Sequence, residues 1–521
     1  MVFRLTICLL LLGLLLALPF YFRREEAPEV FSGDADTVVV ICAHNKTVRD
    51  EYERAFRKWY KERFGREIRI DFRTPGGTSD ITRYIDDRFR AEFRRAFEKD
   101  PANGTWRPEY GDIFCDAKAA DHPVRRWFLA SEVGIGIDVF AGGGTFEHRR
   151  MAQRGYAVDG GVARRHPEYF GEGAIPASFG GDAIYDAGGR YYGVVLSTFG
   201  ILCNADRLKE LSDARPPERW SDLGEPRFFD TLVLADPSKS GSANKCYEII
   251  VQQCMARAGS PEQGWRDGMN LLKRIFANAR TVTDSASRVV AEVGSGDAAA
   301  GTAIDTYGFT EELWSAHRFG RSRVAYITPK GGTAVGADPV QILRGAPNRR
   351  AAEAFVDFLL SMEGQKLHAF RAGTPGGPAE HTLSRSPVRR ELYAPPYRQY
   401  LFKPDYNPYA SGADFEYRPA WTARHYTLLS RLIKSIMLDP RREMCRAWRA
   451  IIRAGGPEKV PMATAKFDEL PFGYSGADAA GASLRISAEN TPAEVAATLR
   501  RWSETARANY LAAEKLAEEG R

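Results

Sequence analysis

The sequence predicts an α/β protein with a parallel sheet, extended at its C-terminus by a mostly helical segment. Three observations lead there. Continuous β-branched runs alternate with amphipathic helical stretches through the first hundred residues, the pattern of a parallel sheet with helices on its faces. A strand, a loop of small residues and a helix follow one another three times, around residues 68–93, 135–154 and 232–255. Beyond residue 387 the composition changes, first to a stretch rich in Pro, Tyr, Asp and Asn and then to helical periodicity.

Residues 37–43, an unbroken apolar run, read as a strand buried on both faces. The helix after it carries Val48, Tyr52, Ala55, Phe56, Trp59, Tyr60 and Phe64 at a 3.6-residue spacing and stops at Gly65. Residues 68–72 form a second strand, and the loop 74–80 enters a helix with Ile81, Tyr84, Ile85, Phe89 and Phe93 on one face. Residues 100–134 read as an irregular insertion with a short strand at 110–115. A strand at 135–141 then meets Gly142-Gly143-Gly144-Thr145 and a short helix. A strand pair is expected at 183–186 and 191–204. The second member is long enough to pass from one domain to another, with Ser197 and Thr198 in its middle.

The strand at 232–235 runs into Asp236-Pro237-Ser238-Lys239-Ser240-Gly241-Ser242 and a long helix. A helix N-terminus there aims unpaired N–H groups and a positive dipole end at one point, a seat for an anion. Taken alone, the junction is equally an N-capped helix after a turn. Helices follow at 265–277 and 285–293. A strand at 301–308 is expected to end in polar residues, where α/β sheets bind ligands. Strands at 324–329 and 339–343 precede a helix capped by Asn348, and helical patterns at 425–437, 441–452 and 492–518 make up the extension.

At 44% hydrophobic and 27% charged, the 521-residue chain has the composition of a globular protein of two or three domains. A net charge of +6 is small for this length, and its basic residues alternate with acidic ones, which excludes a nucleic-acid stripe. Arg4, an apolar run over 5–22 and Arg23-Arg24 form a secretion signal or signal anchor within residues 1–24. Ala17-Leu18-Pro19 is a poor cleavage site, so the reading favours an uncleaved anchor, with the remainder outside the cytoplasm. Cys8 lies inside the apolar run. The other cysteines are scattered, without a CxxC pair, and read as buried thiols rather than a disulfide framework or a zinc site. HExxH, GxSxG and Walker A signatures are absent, and no histidine pair has metal-ligand spacing. Binding is favoured over catalysis, so no catalytic residue, metal ligand or cofactor is assigned.

Several segments together resemble the extracellular solute-binding proteins of ABC transporters, in the type II periplasmic-binding group that includes ferric-iron, sugar-phosphate and organic-anion binders. They are residues 76–81, 138–145, 193–204, 234–242, 303–308 and 342–348, and the helix ending at 358–366. The resemblance covers about residues 37–372. It implies two α/β lobes joined by crossover strands, with the ligand between them. The first lobe would be 37–195 with 320–385, the second 196–319, and 386–521 the C-terminal extension. One wall of the cleft would present Asn45, Gly76, Gly77, Thr78, Ser79, Gly143, Gly144 and Thr145. The other would present Ser238, Ser240, Gly241, Ser242, Asp305 and Tyr307, with Ser197 and Thr198 near the hinge.

The resemblance further implies a monomer that captures a small polar solute outside the cytoplasm and delivers it to an inner-membrane ABC permease. Hydroxyls and amides at the site favour an anion such as phosphate or a sugar phosphate. Asp305 would repel an anion unless it is paired or bound to a polyol hydroxyl. Ferric-binding members commonly present adjacent tyrosines where this chain has Thr306-Tyr307, and the loss of one argues against iron. A ferric-binding protein, an extracytoplasmic enzyme and a membrane-anchored sensor remain the alternative readings.

Overall fold

A computed structural model describes residues 35–412, 414–487 and 490–521. The expected signal or anchor at 1–24 lies outside the described residues, among which no helix is long and apolar enough to cross a membrane. One path of strands runs through the molecule. It comprises β1 (Asp36–Cys42), β2 (Ile68–Arg73), β3 (Val139–Ala141), β4 (Tyr192–Asn204), β5 (Leu232–Ala235), β6 (Ala279–Thr283), β7 (Ala300–Ile304), β8 (Val324–Ile327) and β9 (Val335–Leu343). The order is β2-β1-β3-β9-β4-β7-β5-β6, with β8 beside β4. β1 pairs parallel with β2 and β3, and β5 pairs parallel with β7 and β6.

The two parallel sets meet at β4. Its first half, through Thr198, pairs antiparallel with β9, and its second half, from Phe199, pairs with β7 and β8. All thirteen of its residues are buried, so it is the crossover its length implies. The molecule is thereby two-lobed, and each lobe has its own core. In the first, Tyr52 and Phe56 on α1 (Lys46–Phe64) pack edge-on against Phe355 of α7 (Arg349–Leu360) over Val38 and Val40, and Ile81 and Phe89 of α2 (Thr78–Lys99) pack with Ile41 and Phe140. In the second, α4 (Gly241–Arg257) and α5 (Pro261–Asn278) cover β5 and β7. Val324, Tyr326 and Ala334 pack in the second core.

The second core continues into the extension. Leu429, Met437, Trp448, Phe467 and Tyr510 are buried in it. Trp448 donates its indole N–H to Asn278 at 2.8 Å, and Lys273 donates to the carbonyls of Phe467 (2.9 Å) and Glu469 (2.6 Å). Each large apolar side chain buried this way contributes roughly 1.5–3 kcal/mol. From Phe415 on, the extension is thus the outer layer of the second lobe.

Three local expectations change. The strand expected at 301–308 stops at Ile304. Asp305 opens α6 (Asp305–Phe319), where its carboxylate accepts the Thr306 N–H and an acidic first turn suits the helix dipole. Residues 110–113 are a helical turn, not a strand. The segment 135–138 is irregular, with Gly136 in the left-handed region at φ +73°. β6 went unrecognised, since Ala-Arg-Thr-Val-Thr lacks a continuous apolar run.

Candidate functional site

The ends of β1, β3 and β9, the hinge of β4 and the first turn of α6 converge on one buried polar cluster. Its centre is Arg385, whose side chain is only 5% exposed. The guanidinium donates to Asp338 Oδ2 at 2.8 Å, to the Tyr52 hydroxyl at 2.8 Å and to His44 Nε2 at 3.3 Å. Asp338 Oδ1 accepts from Ser197 at 3.2 Å. The β9 register shifts between Asp338 and Pro339, a bulge of the kind that re-aims a side chain.

The chain goes to some length to place Arg385. Buried Glu51 accepts the backbone N–H groups of Ala379, Glu380 and His381, pinning that loop to α1. Ser386 and Pro387 then pair with β4. Between them Ser384 holds φ at +53°, a left-handed conformation unusual for a residue with a Cβ and found preferentially where function fixes a side chain.

His44 follows β1 directly. Burial, and then the charges of Arg385 and Arg49, hold its pKa well below the usual imidazole range, so the ring is neutral. Since Nε2 accepts from Arg385, Nδ1 carries the proton, and among the described residues it has no acceptor. Gly142, at φ +80°, passes so close that a Cβ there would lie 2.7 Å from His44 Nε2. His44, Tyr52, Gly142, Asp338 and Arg385 enclose a cavity of about 10 Å³, room for one water-sized group. A larger cavity of about 490 Å³, lined by Leu232, Arg280 and Arg288 among others, lies away from this cluster on the second lobe.

The second lobe supplies Asp305 and Tyr307. Asp305 is buried, and burial pushes its pKa up to about 7 against the N–H groups of Thr306 and Thr198, which stabilise its charge. Burial also raises Tyr307, whose phenol lies in the fields of Asp338 and Arg385. Thr198 is fully buried and bonds Tyr326 (3.1 Å) and Tyr406 (2.7 Å).

Two helix N-termini meet from opposite lobes: α3 (Thr145–Arg154), capped by Gly144, and α4, capped by Ser240. The Glu147 carboxylate sits between them. It accepts backbone N–H groups of its own helix turn, and Oε1 lies 3.2 Å from where a Cβ on Gly241 would stand. Burial raises its pKa, and the nearby Lys245 and Arg150 oppose that shift. Phe146 packs on Tyr426 at 4.5 Å, and Tyr426 donates to the Gly241 carbonyl at 2.7 Å.

The residues expected from sequence fall into three groups. Gly143, Gly144, Thr145, Gly241 and Ser242 lie at the opposed N-termini, with Thr78 against Gly143, and Ser240 caps α4. Ser197, Thr198, Asp305 and Tyr307 lie at the hinge cluster. The others are spent or turned outward. Asn45 is exposed and accepts the Val48 N–H as a helix cap. Gly76 and Gly77 are exposed, and Asp80 takes the Gly77 N–H, while Ser79 accepts from Thr82 through its backbone carbonyl. Ser238 is exposed and bonded to Asp236. Sequence reasoning missed His44, Tyr52, Glu147, Asp338, Arg385 and Tyr406. Only His44, which directly follows the first strand, carried a positional signal. Among the described residues no group of three or more His, Cys, Asp or Glu side chains is placed to hold a metal ion, and Cys42, Cys115, Cys203, Cys246, Cys254 and Cys445 are unpaired.

Residues 174–391 match the family described as "Bacterial extracellular solute-binding protein". The phosphoglycerate transport regulatory protein PgtC of Salmonella typhimurium is 28% identical over 176 residues, 34% of this chain and 40% of PgtC. The chain thus spans under half the length of the curated relatives it matches. Among solved structures, the periplasmic binding protein AfuA of Actinobacillus pleuropneumoniae, with fructose-6-phosphate bound, is 18% identical at a TM-score of 0.46, covering 73% of this chain and 94% of AfuA. Iron-bound HitA of Pseudomonas aeruginosa is 14% identical at a TM-score of 0.48, covering 76% and 98%. These two are distant, and their cargoes differ. The likeness of this chain to the bacterial extracellular solute-binding proteins is carried by residues 174–391.

Proposed function

We propose that the chain captures a small anionic solute, inorganic phosphate or an organic phosphate, between its lobes outside the cytoplasm and delivers it to an ABC permease. The observation that carries this reading is the buried Arg385 guanidinium beside the free donor of His44, with two helix N-termini opposed nearby. The Glu147 carboxyl lies between those N-termini and accepts backbone N–H groups there, the donors that a solute anion would take over. Gly143, Gly144, Thr145, Gly241 and Ser242 are the proposed backbone donors. Asp305, whose pKa burial raises to about 7 so that it is partly protonated near neutral pH, suits a hydroxyl of the solute better than its phosphate. The transport named for PgtC makes a phosphoglycerate a candidate.

The proposed lobes are 37–195 with about 335–385, and 196 to about 334, with 386–521 as the extension. Residues 5–22 are proposed as a membrane anchor on a monomeric binding protein. A solute larger than water exceeds the 10 Å³ cavity, so it enters as the lobes part and Glu147 yields. The test is a thermal-shift panel of phosphate, 3-phosphoglycerate, hexose phosphates, neutral sugars and Fe(III). Ligand at a hundred times Kd stabilises the protein by about 2.7 kcal/mol. Stabilisation by neutral sugars or iron alone contradicts the proposal.

A further inference from the structure

The matched family segment ends at residue 391, yet the chain beyond it returns to the hinge. The peptide at 400–402 is tied to the first lobe: the Arg371 N–H donates to the Tyr400 carbonyl at 3.0 Å, and the Phe402 N–H to the Ala369 carbonyl at 2.9 Å. The next side chains belong to the second lobe. Lys403 pairs with Glu312 at 2.8 Å, and the rings of Phe402 and Tyr406 pack on Phe309 at 5.6 and 4.7 Å. Tyr406 shares its hydroxyl with Thr198 at 2.7 Å and Asp305 at 3.3 Å. Three residues later the chain is back on the first lobe, where the Tyr409 hydroxyl donates to the Val388 carbonyl at 2.6 Å.

Within ten residues this segment therefore stitches first lobe to second lobe to first lobe, across the point where β4 changes partners. We propose that residues 400–409 are a strap that restrains lobe opening, with Tyr406 as the residue that ties it to the hinge. Parting of the lobes changes the separation between the anchors at Ala369 and Val388 and those at Asp305, Phe309 and Glu312. The peptide between them is too short to absorb a large change, since a residue spans at most about 3.6 Å, so opening must break the Tyr406 and Lys403 contacts. The inference rests on the lobes moving about β4 and β9 and is independent of what the solute is.

Its test needs no ligand. Spin labels at Glu62→Cys on the first lobe and Lys209→Cys on the second, in purified protein with Cys254 and Cys445 changed to Ala, report the interlobe distance by pulsed electron resonance. The double variant Lys403→Met with Tyr406→Phe keeps the aromatic packing and loses the polar ties. The expected result is a broader distribution shifted to longer distances than that of the unstrapped chain's parent. Superimposable distributions overturn the proposal. Should the double variant fail to fold, Lys403→Met alone, at a side chain 38% exposed, gives the same two outcomes. A shifted distribution with no phosphate binding would refute the solute assignment and leave the strap standing.

Discussion

The Arg385 guanidinium and the Asp338 carboxylate meet at 2.8 Å although 47 residues separate them in sequence, and they do so where the two lobes join. Arg385 is held from three sides, by Asp338, Tyr52 and His44. The charge of the pair is largely balanced within the site. Under the proposed function, an arriving anion competes with Asp338 for the arginine and gains from the His44 donor and the helix N-termini.

Replacing Arg385 by Gln leaves Asp338 without its partner. Loss of one side of a buried pair costs about 3–5 kcal/mol, and the 29% exposure of Asp338 puts the effect near the low end, on the order of 3 kcal/mol. Urea unfolding checks the loss.

Glu147→Gln removes the carboxylate that fills the seat between the helix N-termini. Affinity for inorganic phosphate is expected to rise by about tenfold, or ~1.4 kcal/mol. Unchanged or weaker binding would show that Glu147 does not compete with the solute.

Asp305 gives a pH signature. Its folded pKa of about 7 exceeds the unfolded value of about 3.9, so between these values the native state holds more protons than the unfolded one. The group's stability contribution is complete below pH 4 and is lost as pH rises through 7. Asp305→Asn is therefore expected to match wild type near pH 4 and to exceed it at pH 8, by ~2–4 kcal/mol. Calorimetric unfolding at the two pH values checks the crossover.

Lys273 gives the opposite slope at the extension. Burial lowers its pKa to about 7, against about 10.4 unfolded, so stability rises with pH between these values, and the contribution is lost once pH has fallen through 7. Lys273→Met is expected to flatten that segment of the wild-type profile. An unaltered slope in denaturant unfolding would place the titrating group elsewhere.

Much of the scaffold was legible because it rests on local chemistry. The stripe of Val48, Tyr52, Phe56, Trp59 and Tyr60 is the buried face of α1, and the small-residue loops at 142–145 and 236–242 do enter helices. The site itself was less so. Arg385 sits in a loop with no motif and becomes visible only when Glu51, more than three hundred residues earlier, pins residues 379–381. Tyr406 reaches the hinge through long-range contacts of the same kind. Conversely, Asn45 and Ser238 carry the right chemistry but use it on their own turns, which residue type alone does not reveal.

Under the proposed function, an anionic solute is held between the lobes through Arg385. Titration calorimetry of the purified protein with inorganic phosphate and 3-phosphoglycerate, run beside Arg385→Gln, tests it most directly. Wild type is expected to bind at least one phosphate compound saturably and one to one, and the variant to lose that binding. Binding of equal strength in Arg385→Gln, or saturable binding of Fe(III) with none of either phosphate, would contradict it.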